Sequence, residues 1–156
     1  MRLLAPPMVV LAAACHSAAS TPKTTPAAVP ARSELLQVMT RQLERSAADW
    51  NRGDLDAFVA DYARDTSTTF VDHGRAQHGF DFIRSRYAPR FAPGAQRDSL
   101  RFEAVEARPL GARHALVTAR FILYRGGRTT ASGPFTLVLE NRPDGWKIIH
   151  DHSSGD

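Results

Sequence analysis

Apolar residues recur along the chain in two successive rhythms. From Ser33, whose side chain suits the start of a helix, Leu36, Met39, Leu43, Ala47 and Trp50 follow at steps of three and four, the spacing of one buried helical stripe. Gly53 is placed to end that helix and Asp54 to cap the next. The second helix carries Leu55, Phe58, Val59 and Tyr62 and stops near Asp65. A short β-rich run, Thr68 to Val71, leads into Asp72, His73 and Gly74. A third helix from about Phe80 to Tyr87 puts Phe80, Ile83 and Tyr87 on one side, with Pro89 and Pro93 ending it.

From Asp98 the period changes to two. Leu100, Phe102 and Ala104 alternate with charged residues, and Pro109 to Gly111 form a turn. Ala115 to Tyr124 read as a second long strand, closed by the hairpin signal Gly126-Gly127. Gly133 to Asn141 read as a third, and Pro143-Asp144-Gly145 turns the chain into a last strand, Trp146 to His152. Helices first and an antiparallel meander afterwards predict an α+β fold with the helices packed on one face of a curved sheet.

The first 32 residues follow neither rhythm. Residues 1–14, MRLLAPPMVVLAAA, have a positive start at Arg2, an apolar core from Leu3 to Leu11 and small residues before Cys15. This is the layout of an export signal. The run is far short of the ~20 apolar residues that a spanning helix needs. Residues 16–32, HSAASTPKTTPAAVPAR, are rich in Pro, Ser, Thr and Ala and lack apolar periodicity, the composition of a flexible tether. The expected organisation is therefore a signal peptide at 1–14, a tether at 15–32 and one domain at 33–156.

Composition narrows the chemistry. Of 156 residues 43% are hydrophobic and 23% charged, which fits a globular domain. The one cysteine excludes an internal disulfide and a thiolate metal cluster. The net charge of +4 comes from arginines that mostly alternate with acids, and only Lys23 and Lys147 are lysines. Arg84, Arg86 and Arg90, with Tyr87 and Phe91 between them, are the nearest approach to a basic, aromatic-interleaved patch. At helical spacing they read as a solvated face, and no nucleic-acid partner is expected.

Two resemblances add to this reading. LAAAC, residues 11–15, resembles the lipobox of bacterial lipoproteins, in which the cysteine becomes the lipidated first residue of the mature chain. Ala12 departs from the leucine that the family prefers three places before the cysteine, and an ordinary signal peptide cleaved after Ala14 or Ala19 is the other reading. His16 follows the cysteine where an inner-membrane retention signal would have Asp. The resemblance implies a cell-envelope protein anchored to a membrane through Cys15, or else a periplasmic or secreted one.

The strings WNRGDLDAFVADYARDTSTTFVDHG (50–74) and DGWKIIHDHSS (144–154), in this order, resemble the nuclear transport factor 2-like superfamily, in its SnoaL-like and ketosteroid-isomerase-like branches. The resemblance implies a cone-shaped α+β barrel, a bent antiparallel sheet wrapped around N-terminal helices with a pocket at one end. Members include isomerases, cyclases, dehydratases, association domains and small-ligand binders, so the fold does not decide among functions. It aligns Asp72 with the catalytic aspartate of ketosteroid isomerases, while Ser46 stands where those enzymes have an oxyanion-holding tyrosine.

On the residues alone, Asp72 in an apolar pocket would have a raised pKa and could abstract a proton beside a carbonyl; capping a turn or pairing with an Arg is the competing role. On the last strand Trp146, Ile148, His150 and His152 share one parity. Facing the concave side, that set would bring two imidazoles to Asp72 or His73 as bases or ligand contacts. Thr118, Arg120, Ile122 and Tyr124 offer a mixed polar and apolar wall on the middle strand, and Trp50 and Tyr62 lie on helical stripes. The candidate set is thus Asp72, His150 and His152 for catalysis, with Trp50, Tyr62, His73, Arg120, Tyr124 and Trp146 around the pocket. No metal and no cofactor is expected, since no P-loop, dinucleotide fingerprint or EF-hand occurs. Three functions stay open: a binder of a small apolar molecule, an isomerase or lyase acting by acid/base catalysis, and a module that dimerises through an exposed sheet face carrying Phe121 and Leu123.

Overall fold

A 21-residue amphipathic helix opens the structure, a computed structural model that describes residues 28–156. The expected signal segment, Cys15 and most of the tether lie outside the described residues. Helix α1, Arg32–Arg52, buries Leu35, Met39, Leu43, Ala47 and Trp50 along one stripe and stops at Gly53, whose φ of 82° lies in the left-handed region. The helix starts one residue before Ser33, with Ala31 at the capping position and no side-chain cap. Leu35 is more deeply buried than the expected Leu36, which packs on the edge of the core. Asp54 caps α2, Leu55–Val59, through Ala57 N–H at 3.0 Å.

Helix α2 is a single turn, shorter than its periodicity predicts. Beyond it Tyr62 pairs in parallel with Ile148; Ala63 N–H donates to Ile148 O at 2.9 Å and Ile148 N–H to Asp61 O at 2.8 Å. Tyr62 is therefore a strand-like residue at the sheet and not part of a helical stripe. The hairpin β1, Thr69–Asp72, and β2, Arg75–His78, follows. Helix α3, Phe80–Phe91, continues two residues past the expected stop at Pro89, and Phe91 packs on Trp50 with ring centroids 5.1 Å apart. Proline removes one helical hydrogen bond, yet the helix runs on through Pro89.

Strands β3, Ser99–Pro109, β4, His114–Arg125, β5, Arg128–Arg142, and β6, Gly145–Ser153, form the meander. The sheet order is β2-β1-β6-β5-β4-β3, antiparallel except where β1 lies parallel to β6. Three register shifts interrupt it, one of them beside the β4–β5 hairpin, where Leu123 faces Ala131 and Tyr124 faces Thr129. In β3, Ala104 has φ 52° and the register shifts between Glu103 and Glu106. In β6, Val138 faces His150 and Leu139 faces Ile148, which leaves Ile149 unpaired. Helix α1 lies in the resulting hollow against β3, tied there by Asn51, which exchanges hydrogen bonds with Leu100 N–H and C=O at 2.8 and 2.9 Å. Trp50 Nε1–H also donates to Asp98 O at 2.8 Å.

Candidate functional site

The helices fill only part of the hollow. Between α1, α3 and the inner sheet face lies a cavity of about 330 Å³, in the size range of small-molecule sites. Its aromatic wall comes from Trp50, Phe58, Phe70, Tyr87, Phe121 and Phe135. Tyr87 sits edge-on to Trp50, Phe58 and Phe70 at centroid distances of 6.1, 4.9 and 6.0 Å; each such pair adds ~0.5–1.5 kcal/mol beyond area burial. The far end is closed by Ser153, Ser154 and Gly155. These residues run back along β5, with Ser154 N–H donating to Pro134 O at 3.0 Å.

The polar centre of this cavity is Asp151, which sequence reasoning passed over. It is 4% exposed. Tyr62 Oη–H donates to Asp151 Oδ2 at 2.6 Å and Ser153 Oγ–H to Asp151 Oδ1 at 2.9 Å. The Tyr87 hydroxyl lies 3.4 Å from that of Tyr62. Burial pushes the Asp151 carboxyl up to about 6, partly resisted by the two hydroxyl hydrogen bonds. Burial likewise pushes the Tyr62 phenol well above its usual value, with the Asp151 charge adding to the rise.

The extra residue in β6 explains the placement. Alternation would put Ile148, His150 and His152 on one face. With Ile149 bulged, Ile148 and Asp151 both line the cavity, and His150 and His152 do not. His150 Nδ1 instead lies 2.5 Å from Thr69 Oγ1 in a hydrogen bond, and burial holds its pKa below the usual value, with His152 contributing. His152 is exposed. Trp146 packs on the core away from the cavity.

Strand β4 turns the opposite parity inward from the one expected. Ala115, Val117 and Ala119 are buried, and Phe121 and Leu123 reach the cavity. Arg120 therefore points away and pairs with Asp156, and Tyr124 lies under the Arg101 guanidinium at 5.0 Å. The small alanines and Val117 leave room for the core, whereas Arg120 and Thr118 have no place there. Phe121 and Leu123 are cavity lining and not an exposed face.

Asp72 and His73 stand at the cavity, but as an ion-paired cluster. Arg86 donates to Asp72 Oδ2 at 2.7 Å, and His73 Nδ1 lies 2.8 Å from Oδ1. Burial alone would raise the Asp72 pKa; the Arg86 and His73 contacts outweigh it and hold the carboxyl below its usual value. This is the reverse of the raised carboxyl expected there. His73 itself is 86% exposed and takes a positive φ of 49° at the hairpin turn. Arg90 also lines the cavity, while Arg84 pairs with Asp56 outside it. Among the described residues no three His, Cys, Asp or Glu side chains are grouped to hold a metal, and no helix is long and apolar enough to cross a membrane.

A bent sheet wrapped around a long first helix, open to a cavity at one end, is the nuclear transport factor 2-like architecture. The SnoaL-like domain profile matches residues 41–155, and the chain belongs to that family. No curated protein matches the chain. An NTF-2 like protein of unknown function from Shewanella oneidensis MR-1 is similar at 31% identity and TM-score 0.67, covering 76% of this chain and 97% of that one. A cystatin-like-fold domain of unknown function from Nostoc punctiforme superposes with TM-score 0.65 at 18% identity, over 80% and 78% of the two chains. A putative ketosteroid isomerase from Parabacteroides distasonis does so with TM-score 0.56 at 24% identity, over 74% and 84%. At that identity the last two similarities concern the fold alone.

Proposed function

We propose that this chain is an exported protein, anchored to a membrane through a lipid on Cys15, whose folded part binds a small, largely apolar molecule in the cone. The observation that supports binding most directly is the aromatic-walled cavity of about 330 Å³, with Asp72, Arg86, Arg90 and Asp151 among its polar lining. Trp50 lines that cavity and Trp146 does not, so in a Trp146→Phe variant of the full chain the fluorescence reports on the cavity. Titration with neutral aromatic probes such as 2-phenylethanol and benzyl alcohol should give a saturable, one-to-one change. A folded protein whose fluorescence responds to neither these nor charged aromatic probes would sink the reading. The anchor has its own check: Cys15→Ser should move the protein from the membrane fraction to the soluble one.

A second reading, an isomerase or lyase working by acid/base catalysis, is favoured by one observation. Asp151, pushed up to about 6, exchanges protons near neutrality, where a carboxyl is an effective acid or base. Asp72, held ionised by Arg86, lacks that property. A ketone that binds in the titration, incubated in heavy water with the protein, should then exchange the hydrogens beside its carbonyl. Exchange at the uncatalysed rate would remove the enzymatic reading and leave the binding one intact.

A further inference from the structure

Three carboxylates of this fold are buried: Asp49, Asp61 and Asp151. Two have a cation. Arg52 lies 2.6 Å from Asp49 and Arg45 3.1 Å from Asp61. Asp72, partly buried at the cavity, has Arg86 at 2.7 Å. Asp151 makes no ion pair with any described residue; its partners are the neutral hydroxyls of Tyr62 and Ser153. A buried charge without a counter-ion is costly, and in folded proteins such charges are paired. An ionised carboxylate also accepts about four hydrogen bonds, and these two hydroxyls leave lone pairs of Asp151 free.

The walls carry the same sign preference. Trp50, Phe58, Phe70, Tyr87, Phe121 and Phe135 line the cavity, and aromatic rings attract a desolvated cation. The cations at the cavity do not serve Asp151. Arg86 is bound to Asp72, and neither it nor Arg90 makes a hydrogen bond or ion pair with Asp151, whose partners are Tyr62 and Ser153.

We infer that the molecule taken up by the cavity is a protonated amine on an apolar skeleton, its ammonium seated against Asp151 and its body among the aromatic rings. The inference rests on the ligand-binding reading given above and names the chemical class of that ligand. An incoming ammonium supplies both missing elements, the counter-ion and the hydrogen-bond donors.

Binding of this kind depends on pH through Asp151. The titratable and charged groups acting on it are Tyr62, at the end of the α2 segment, Tyr87 from α3, Asp72 from β1 with Arg86 and His73 attached, and His152 on its own strand. With its carboxyl pushed up to about 6, Asp151 is charged at pH 7.5 and largely neutral at pH 5. An amine stays protonated over that whole range, so its affinity should follow the charge of Asp151.

The test uses the full chain with Trp146→Phe and three probes of one shape: 2-phenylethylamine, 2-phenylethanol and 3-phenylpropanoate. At pH 7.5 the amine should bind about tenfold tighter than the alcohol, the worth of one charge-assisted contact. That advantage should shrink at pH 5 and vanish in Asp151→Asn. Should Asp151→Asn fail to fold, the probe and pH comparisons on the parent protein still decide. An alcohol that binds as tightly as the amine at both pH values overturns the amine inference and leaves the ligand-binding reading standing. Tightest binding by the propanoate also overturns it and assigns ligand choice to Arg90. No saturable response to any of the three defeats the ligand-binding reading, and this inference with it.

Discussion

The hydroxyl of Tyr62 and the carboxylate of Asp151 meet at 2.6 Å across a sequence separation of 89 residues. Two local departures from regular structure bring them together: α2 ends early enough for Tyr62 to enter the sheet beside Ile148, and Ile149 is squeezed out of the β6 ladder. Both groups are buried, so the state of each governs the other. Removing the donor in Tyr62→Phe should leave Asp151 with only Ser153 as a partner and drive its pKa above about 6. Carboxyl carbon NMR across a pH titration reads that shift directly. Stability at neutral pH should fall by about 1–3 kcal/mol, the cost of stranding one partner of a buried charged hydrogen bond.

Asp151→Asn should have the opposite consequence for stability at neutral pH. The folded pKa of about 6 lies above the ordinary 3.8, so between those values the folded state holds a proton that the unfolded chain has released. The stabilisation is complete below pH 3.8, lost as pH rises through 6, and absent above. The asparagine variant has no such loss, and above pH 7 it should gain on the order of 3 kcal/mol relative to its behaviour in acid, compared with the parent. His150, whose pKa is lowered, acts in the other direction near pH 6 in both proteins and cancels in the difference. Denaturant unfolding of the two proteins at several pH values between 4 and 8 gives the comparison.

Asp72 follows the reverse sign. Its pKa is lowered by Arg86 and His73, so its contribution is present above the ordinary 3.8 and disappears as pH falls through the depressed folded value. Asp72→Asn should cost about 1–3 kcal/mol at pH 7, and parent and variant should converge in strong acid. A variant as stable as the parent at pH 7 would show that the Arg86 contact contributes nothing.

Gly133 predicts a mutation that acts on the cavity more than on the core. A Cβ there would sit 1.7 Å from the carbonyl oxygen of Ser154, so Gly133→Ala must displace the segment that closes the cavity. The expected result is a modest fall in Tm together with a large loss of probe affinity. Retained affinity would mean that Ser154 and Gly155 are dispensable as a wall.

Much of the fold was legible in the amino-acid sequence, because the signals that carry it are local. Gly53 and Asp54 mark a helix end and a cap, Gly126-Gly127 and Asp144-Gly145 mark the hairpins, and the core stripe of α1 is periodic. The site was less so. Both faces of β4 carry apolar side chains, and Ile122 of the other parity is buried as well, so alternation alone does not say which one is inside. Asp151 was missed for a similar reason. A bulge leaves no letter of its own, and the one trace in the sequence is that Ile148 and Ile149 stand side by side where a regular strand would alternate. Tyr62 fits a helical stripe as well as it fits the sheet, and only the pairing with Ile148 separates the two.

The unpaired Ile149 makes the chemistry of the cavity a matter of register. Excision of that single residue would leave Ile148, His150, Asp151 and His152 in plain alternation on the ladder partners they already have, with Asp151 still inside and both histidines still outside. The change that would exchange an acidic interior for a basic one is the return of Ile149 to the ladder at full length, which moves residues 150–152 by one position and turns each of them to the other face with no side chain of the site replaced.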